Sequence, residues 1–174
     1  MEFQSTPMMS FIDAVKTCLK KKYCTFKGRA RRSEYWWFSL LYSIIISIPT
    51  YALQYLMFWK LGQKDMLEKQ VLEAAFDSDK MAALTAQAEA VDATFGTYMP
   101  IICIVLAVVW LGLLLPAWGV LVRRLHDIGK SGWAMLIVLI PIIGAFVLLY
   151  WLLKDSDKAA NKYGESPKYI SVEA

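Results

Sequence analysis

Residues 35–59 read YWWFSLLYSIIISIPTYALQYLMFW, an apolar run that contains no charged side chain. Two further uncharged runs follow at residues 97–122 and 133–153. Each run reaches the length of about 20 residues that an α-helix needs to cross the hydrocarbon core of a bilayer. The sequence therefore predicts an all-α integral membrane protein with three transmembrane helices.

Composition and the placement of aromatic residues favour the same fold class. Hydrophobic residues make up 57% of the chain, above the roughly 45–50% that is usual for soluble domains. Tyr35 and Trp59 flank the first run, and Trp133 and Trp151 flank the third. Trp and Tyr favour the two membrane–water interfaces, where a ring is half buried while its polar atom stays hydrated.

Lysine and arginine predict which side of the membrane each connecting segment occupies. Residues 1–34 carry eight of the chain's 19 lysines and arginines, and the short hairpin 123–132 carries three. The positive-inside rule therefore predicts a cytoplasmic N-terminus and a cytoplasmic second loop. The long loop 60–96 and the polar tail 154–174 are then expected on the opposite side.

The basic segment 1–34 contains the pattern of an amphipathic helix. Apolar residues recur at roughly helical spacing between Phe11 and Phe26, and lysines fill most of the other positions. A basic amphipathic helix just before a transmembrane helix is expected to lie on the anionic inner leaflet. The alternative is a loosely ordered basic tail that only enforces topology.

The loop 60–96 is acidic and rich in alanine and other strong helix formers. Ser78 is a candidate N-cap, and Leu84, Ala88, Val91 and Phe95 fall on one face of a helix. One or two amphipathic helices are therefore predicted here. The alternative is a flexible acidic linker.

Small residues recur at helical spacing within the three spans, and small residues let helices approach closely in lipid. Such stripes predict the interfaces of a compact bundle or of a homo-oligomer. The candidates are Ser39, Ser43 and Ser47 in the first span, Gly112, Pro116 and Gly119 in the second, and Gly144 in the third.

The polar junctions carry the most distinctive sequence. Residues 26–37 read FKGRARRSEYWW, residues 123–133 read RRLHDIGKSGW, and residues 161–167 in the tail read NKYGESP. In this order and at these positions relative to the spans, they resemble a bacterial inner-membrane family known as domain of unknown function 805. The resemblance covers about residues 11–167 as a single domain and implies a multi-pass protein of the bacterial inner membrane. It implies no biochemical role, and the loop after Gly62 is longer than is usual in that family.

These junctions supply the candidate site, which is predicted to gather at the cytoplasmic rim. Guanidinium groups bind phosphate, so the arginines are candidate contacts for anionic lipid headgroups or for a membrane-protein partner. The alternative is that the acids hold the arginines in internal ion pairs. The candidate residues are Arg29, Arg31, Arg32, Glu34, Arg123, Arg124, His126 and Asp127.

His126 is the only histidine in the sequence and precedes Asp127. An acid can orient a histidine for general base catalysis, yet a nucleophile and a site for developing charge are also required. One histidine and three cysteines without a CxxC pair do not make a metal-ligand set. The sequence therefore predicts no catalytic residue, cofactor or metal, and no nucleic-acid partner.

Three functional hypotheses remain. The first is a non-enzymatic membrane component that binds anionic lipid or a partner and self-associates through the small-residue stripes. The second is a subunit of a transporter or channel, although the spans contain no Asp, Glu, Lys, Arg or His. The third is an interfacial enzyme that uses His126 and Asp127.

Overall fold

The computed structural model describes residues 2–74 and 76–172, and it is mostly helical. The elements in chain order are β1 (Glu2–Ser5), α1 (Phe11–Lys16), a π-helical turn (Thr17–Lys21), α2 (Arg32–Glu73), α3 (Ser78–Asp127), a 3₁₀ helix (Gly132–Leu139), α4 (Ile143–Leu153) and β2 (Tyr169–Val172). By length and composition, α2 and α3 are able to cross a membrane. They contain the first two apolar runs.

The chain divides into two units. The junction unit comprises residues 1–43 and 111–174, and the hairpin unit comprises residues 44–110. Helices α2 and α3 each contribute to both units.

In the hairpin unit, α2 and α3 pack side by side. The Trp59 and Phe95 rings stack with centroids 6.3 Å apart, and Lys60 Nζ lies 2.8 Å from Asp92 Oδ1. The half-buried face of α3 consists of apolar residues at helical spacing, namely Leu84, Ala88, Val91 and Phe95. The predicted helices and their apolar face are thus confirmed, because α2 and α3 continue through most of residues 60–96.

The helix cap of α3 differs from the predicted one by one residue. Ser78 is the first residue of α3, and the backbone N–H of Lys80 donates to Asp77 Oδ1 at 3.1 Å. This is the bond that an N-cap side chain makes to the first turn of a helix. Asp77 therefore caps α3, and the prediction of Ser78 was wrong.

The third apolar run is not the single helix predicted over residues 133–153. It begins as the 3₁₀ helix, turns at residues 140–142 and continues as α4. Pro141 has no N–H to continue a helical ladder, and Ile142 adopts a φ of 64°, which is a strained value for a β-branched residue.

Gly144 allows the two arms of this turn to meet. A Cβ atom at Gly144 would lie 1.8 Å from the carbonyl oxygen of Ile137, so only glycine fits there without a shift of backbone. At about 2.0 Å per residue for the 3₁₀ arm and about 1.5 Å for the α-helical arm, each arm is about 16 Å long. Each arm is therefore about half as long as the hydrocarbon core is thick.

The two ends of the chain pair with each other. Strands β1 and β2 form a two-stranded antiparallel sheet with Glu2 opposite Val172 and Ser5 opposite Tyr169. The Thr6 N–H extends the pairing by donating to the Lys168 carbonyl at 2.8 Å. The fold is therefore not purely α. Two paired strands lie on one side of a membrane, so this pairing argues against the predicted position of the tail on the opposite side from the N-terminus.

The N-terminal helix is shorter than the predicted pattern. Helix α1 and its π-helical turn end at Lys21, whereas the apolar pattern continues to Phe26. Ser10 caps α1 by accepting from the Asp13 N–H, and the helix buries Ala14 and Cys18. Residues 22–31 then lead without regular structure into α2.

Candidate functional site

The candidate site residues of α3 occupy its last turns, where the helix is enclosed by the junction unit. Gly129 ends the helix in the left-handed region with a φ of 73°, and the Lys130 N–H bonds back to the Leu125 carbonyl at 2.9 Å. This is the Schellman arrangement that commonly follows a helix C-terminus. The buried candidates of α3 are Arg123, Arg124, His126 and Asp127.

Asp127 is the centre of one buried ion cluster. Its Oδ1 lies 3.0 Å from Arg29 Nε, and its Oδ2 lies 2.7 Å from Arg124 Nη1. All three side chains are almost fully buried. A carboxylate that accepts from two guanidinium groups satisfies both of them, so this cluster links the N-terminal segment to the end of α3.

Arg29 also fixes the tail. Its two terminal nitrogens donate to the backbone carbonyls of Asp157 at 2.6 Å, Ala159 at 2.9 Å and Gly164 at 3.2 Å. Arg124 donates to the carbonyls of Leu152 and Lys154. These arginines therefore act as donors to the protein's own backbone.

A second buried cluster joins Glu34 to Arg123. The Arg123 Nη2 atom lies 3.0 Å from Glu34 Oε1, and the thiol of Cys18 lies 3.9 Å from the same oxygen. Burial, helped by the neighbouring Glu34, raises the pKa of Cys18 to about 12, so the thiol stays protonated. Arg123 Nε and Nη1 are buried without a hydrogen-bond partner among the described residues.

Arg31 and Arg32 have different surroundings. Arg31 is buried and donates to the Pro7 carbonyl at 2.7 Å and to the Thr6 hydroxyl at 3.1 Å. The side chain of Arg32 is 43% exposed and lies 3.0 Å from Asp155. Of the five arginines that the sequence placed at one rim, only Arg32 presents a substantial part of its side chain outside the protein.

The side chains of His126 and Asp127 contact different groups. The His126 ring stacks on Tyr163 with centroids 3.7 Å apart, and its Nδ1 lies 3.2 Å from the Gly28 carbonyl oxygen. Burial and the nearby Lys162 lower the pKa of His126, whereas the Gly28 carbonyl opposes that shift. The Asp127 carboxylate is turned instead to the two arginines.

The described residues, 2–74 and 76–172, contain no group of three His, Cys, Asp or Glu side chains placed to hold a metal ion. That the protein has no cofactor, no catalytic activity and no nucleic-acid partner remains a prediction.

The small-residue stripe of α3 contacts the N-terminal segment. Pro116 has no N–H for the carbonyl of Gly112, four residues earlier, and the Tyr23 hydroxyl donates to that carbonyl. A Cβ atom at Gly119 would lie 3.3 Å from the backbone oxygen of Thr25. The stripe therefore seats residues 23–25 beside α3, within the junction unit.

The serine stripe of α2 shows no comparable contact. The Ser43 hydroxyl is exposed and donates to the Leu40 carbonyl of its own helix at 2.9 Å. Ser39 and Ser47 are half-buried. Their role in self-association stays a prediction.

Tyr23, Cys18 and Asp155 belong to this site, although the sequence did not single them out for it. One signal was available for Tyr23, because a proline within a helix leaves the carbonyl four residues earlier without its partner. Cys18 and Asp155 gave no such signal, since their partners Arg123 and Arg32 lie in other segments of the chain.

Comparison of the sequence with known proteins places this chain in a family. The chain is 27% identical to inner membrane protein YhaI of Escherichia coli K12 over 151 residues, which are 87% of this chain and 92% of YhaI. It is 28% identical to inner membrane protein YhaH of the same strain over 148 residues, which are 85% of this chain and 91% of YhaH. No solved structure matches the chain. The model of a family described as protein of unknown function (DUF805) matches residues 23–165, and the chain therefore belongs to that family.

Proposed function

We propose that this chain is a non-enzymatic, multi-pass protein of the bacterial inner membrane that binds anionic lipid at its cytoplasmic face. The relatives YhaI and YhaH are inner membrane proteins, and α2 and α3 are able to cross a membrane. The family has no assigned activity. Lipid contact therefore has to be argued from this chain alone.

The proposed topology has a cytoplasmic N-terminus and two complete crossings. The high content of Lys and Arg in residues 1–34 supports the cytoplasmic side. A third complete crossing would carry β2 away from β1, with which it pairs. The half-length arms around Pro141 fit a segment that enters the membrane and returns to the same side.

The observation that carries the lipid proposal is the outer face of residues 8–21. Three apolar residues remain exposed here: Met8, Phe11 and Ile12, whose exposed fractions are 74%, 39% and 60%. Lys16, Lys20 and Lys21 are exposed on the same segment. Exposed apolar side chains next to lysines are typical of a helix that lies at the surface of an anionic membrane.

Trp37 supports this position. Its ring packs edge-on against Phe11 with centroids 5.8 Å apart, which holds α1 beside the start of the first apolar run of α2. A helix tethered at that level lies where the headgroups begin. Lys16 at the end of α1 and Lys20 and Lys21 in the π-helical turn, rather than the buried arginines, are therefore the proposed contacts for the leaflet.

The lipid composition around the full-length protein tests this proposal. The protein would be extracted from bacterial membranes in polymer nanodiscs, and the phosphatidylglycerol share of the co-purified lipid would be compared with the bulk membrane. We expect enrichment around the native chain. Replacement of Lys16, Lys20 and Lys21 by Gln should reduce it, because each cation near an anionic surface contributes about 1 kcal/mol of attraction.

The matched control replaces three lysines of the hairpin unit, Lys64, Lys69 and Lys80, by Gln. This change removes the same charge from a segment proposed to lie on the opposite side. The control should retain the enrichment. Equal enrichment in the native chain, the α1 variant and the control would contradict the proposed function.

A further inference from the structure

A groove of about 190 Å³ lies between α2 and α3 within the junction unit. Tyr35, Ser39 and Tyr42 line it from α2, one helical turn apart. Ala117, Trp118 and Leu121 line it from α3. The groove thus follows the two helices over about two turns at the ends that approach the arginine clusters.

The position of the groove limits what can occupy it. All the residues named above lie inside the two apolar runs, and Trp118 is 50% exposed. A tryptophan and two tyrosines at this level are typical of the interface, where lipid chains meet headgroups. The volume is below the about 300–1,000 Å³ of pockets for drug-sized molecules. A segment of one lipid chain suits the groove better than a bulky ligand does.

A cation stands at the polar end of the groove. Arg32 precedes Tyr35 by three residues, so it lies one turn away on the same face of α2 as Tyr35, Ser39 and Tyr42. Its guanidinium donates to the Leu153 carbonyl at 3.3 Å and contacts Asp155, and 43% of the side chain remains exposed. The exposed Lys154 follows Leu153 directly, which adds a second cation near this end.

Asp155, which pairs with Arg32, also has other hydrogen-bond donors. Lys168 Nζ lies within 2.8 Å of both carboxylate oxygens of Asp155, and the Tyr169 hydroxyl donates to the same carboxylate at 3.0 Å. Arg32 is therefore able to bind a phosphate without leaving Asp155 unpaired. Arg29, Arg123 and Arg124 are buried, so their guanidinium groups are not accessible to a phosphate.

We propose that this groove, together with Arg32, forms a binding site for one anionic phospholipid. The acyl chain lies along Ser39 and Ala117, and the phosphate pairs with the guanidinium of Arg32. Arginine matches the geometry of phosphate oxygens, and apolar and aromatic side chains make up most of the groove lining. This site deepens the proposed function and rests on it for the cytoplasmic orientation of the groove.

Native mass spectrometry of the full-length protein in mild detergent, with phosphatidylglycerol as the added probe, tests the site. We expect the native chain to retain one phospholipid per protomer. Ser39→Phe fills the groove, and Arg32→Gln removes the cation. Arg32→Gln should lower occupancy about tenfold, since a hydrogen bond to a charged group is worth roughly that factor or more. Ser39→Phe should also lower occupancy, because the larger ring takes the space of the acyl chain.

Ser43→Phe is the matched control, because Ser43 is a serine of the same helix, one turn further on, that does not line the groove. It should leave occupancy unchanged. Full occupancy in both Ser39→Phe and Arg32→Gln would overturn the site, as would equal loss in Ser43→Phe.

Different results would overturn the two proposals. Gln at Lys16, Lys20 and Lys21 should change the phosphatidylglycerol share in nanodiscs and leave the single retained phospholipid in place. Arg32→Gln should do the reverse. Loss of the retained phospholipid in the α1 variant would show that the groove does not hold it independently, and would overturn the site.

Discussion

The junction unit and the hairpin unit are held together by different kinds of contact. In the junction unit, buried charged groups pair across long sequence distances, as Arg29 does with Asp127, 98 residues further on. In the hairpin unit, a repeating apolar face packs α2 against α3, and its ion pair between Lys60 and Asp92 is partly exposed.

This difference predicts how each unit responds to substitution. A buried ion cluster fails when one member is removed, because the remaining charge is buried without compensation. An exposed pair contributes little, since water already solvates both partners. The junction unit should therefore tolerate few changes, and the hairpin unit many.

The largest effect is expected for Asp127→Ala. It leaves Arg29 and Arg124 buried and unpaired, which should cost about 3–5 kcal/mol of unfolding free energy. Thermal unfolding in mild detergent measures the loss. A midpoint equal to that of the native chain would mean that the cluster does not hold the junction unit together.

Tyr23→Phe should have the next largest effect. It removes the hydroxyl that bonds the Gly112 carbonyl opposite Pro116, and a carbonyl left without a donor inside an apolar run, away from water, costs about 1–3 kcal/mol. The cost should shrink in a Pro116→Ala background, where the new N–H is able to serve the same carbonyl. A double-mutant cycle measures this coupling, and additive losses would refute it.

A smaller effect is expected at the cap of α3. Asp77→Ala should cost about 1 kcal/mol of hairpin-unit stability, because it removes the acceptor for the Lys80 N–H. Ser78→Ala should change little. Amide hydrogen exchange in the first turn of α3 distinguishes the two, and faster exchange in the serine variant alone would restore the cap that the sequence predicted.

The smallest effect is expected for Asp92→Asn. The carboxylate contacts Lys60 at the surface of the hairpin unit, and the same lysine also lies over the Phe95 ring. Unfolding should be unchanged within error, in direct contrast to Asp127→Ala. A loss as large as that of Asp127→Ala would remove the proposed difference between the two units.

The sequence predicted the hairpin unit better than the junction unit, for a physical reason. A helix face is a local repeat, so Leu84, Ala88, Val91 and Phe95 identified it without knowledge of the rest of the chain. Hydropathy correctly indicated that residues 133–153 are apolar. It could not predict the turn within them, because the turn depends on the strained backbone of Ile142 and the close contact of Gly144 with Ile137.

The candidate residues lie together in the junction unit, but the sequence did not decide which groups they contact. The arginine motifs did identify the residues that converge in the junction unit. Charge density alone cannot distinguish an arginine at a lipid surface from one that donates to distant carbonyls, as Arg29 does to Ala159 and Gly164. The sequence left both alternatives open, and four of the five arginines are buried.

The central claim is that the tail lies on the same side of the membrane as the N-terminus. Two exposed alanines, Ala160 in the tail and Ala82 in the hairpin unit, offer matched positions for cysteine. Each would be introduced singly, with Cys24 and Cys103 replaced by Ser, and treated with a membrane-impermeant maleimide on intact spheroplasts. We expect Ala82→Cys to be labelled at once and Ala160→Cys only after lysis. Labelling of Ala160→Cys on intact spheroplasts would contradict the two-crossing account.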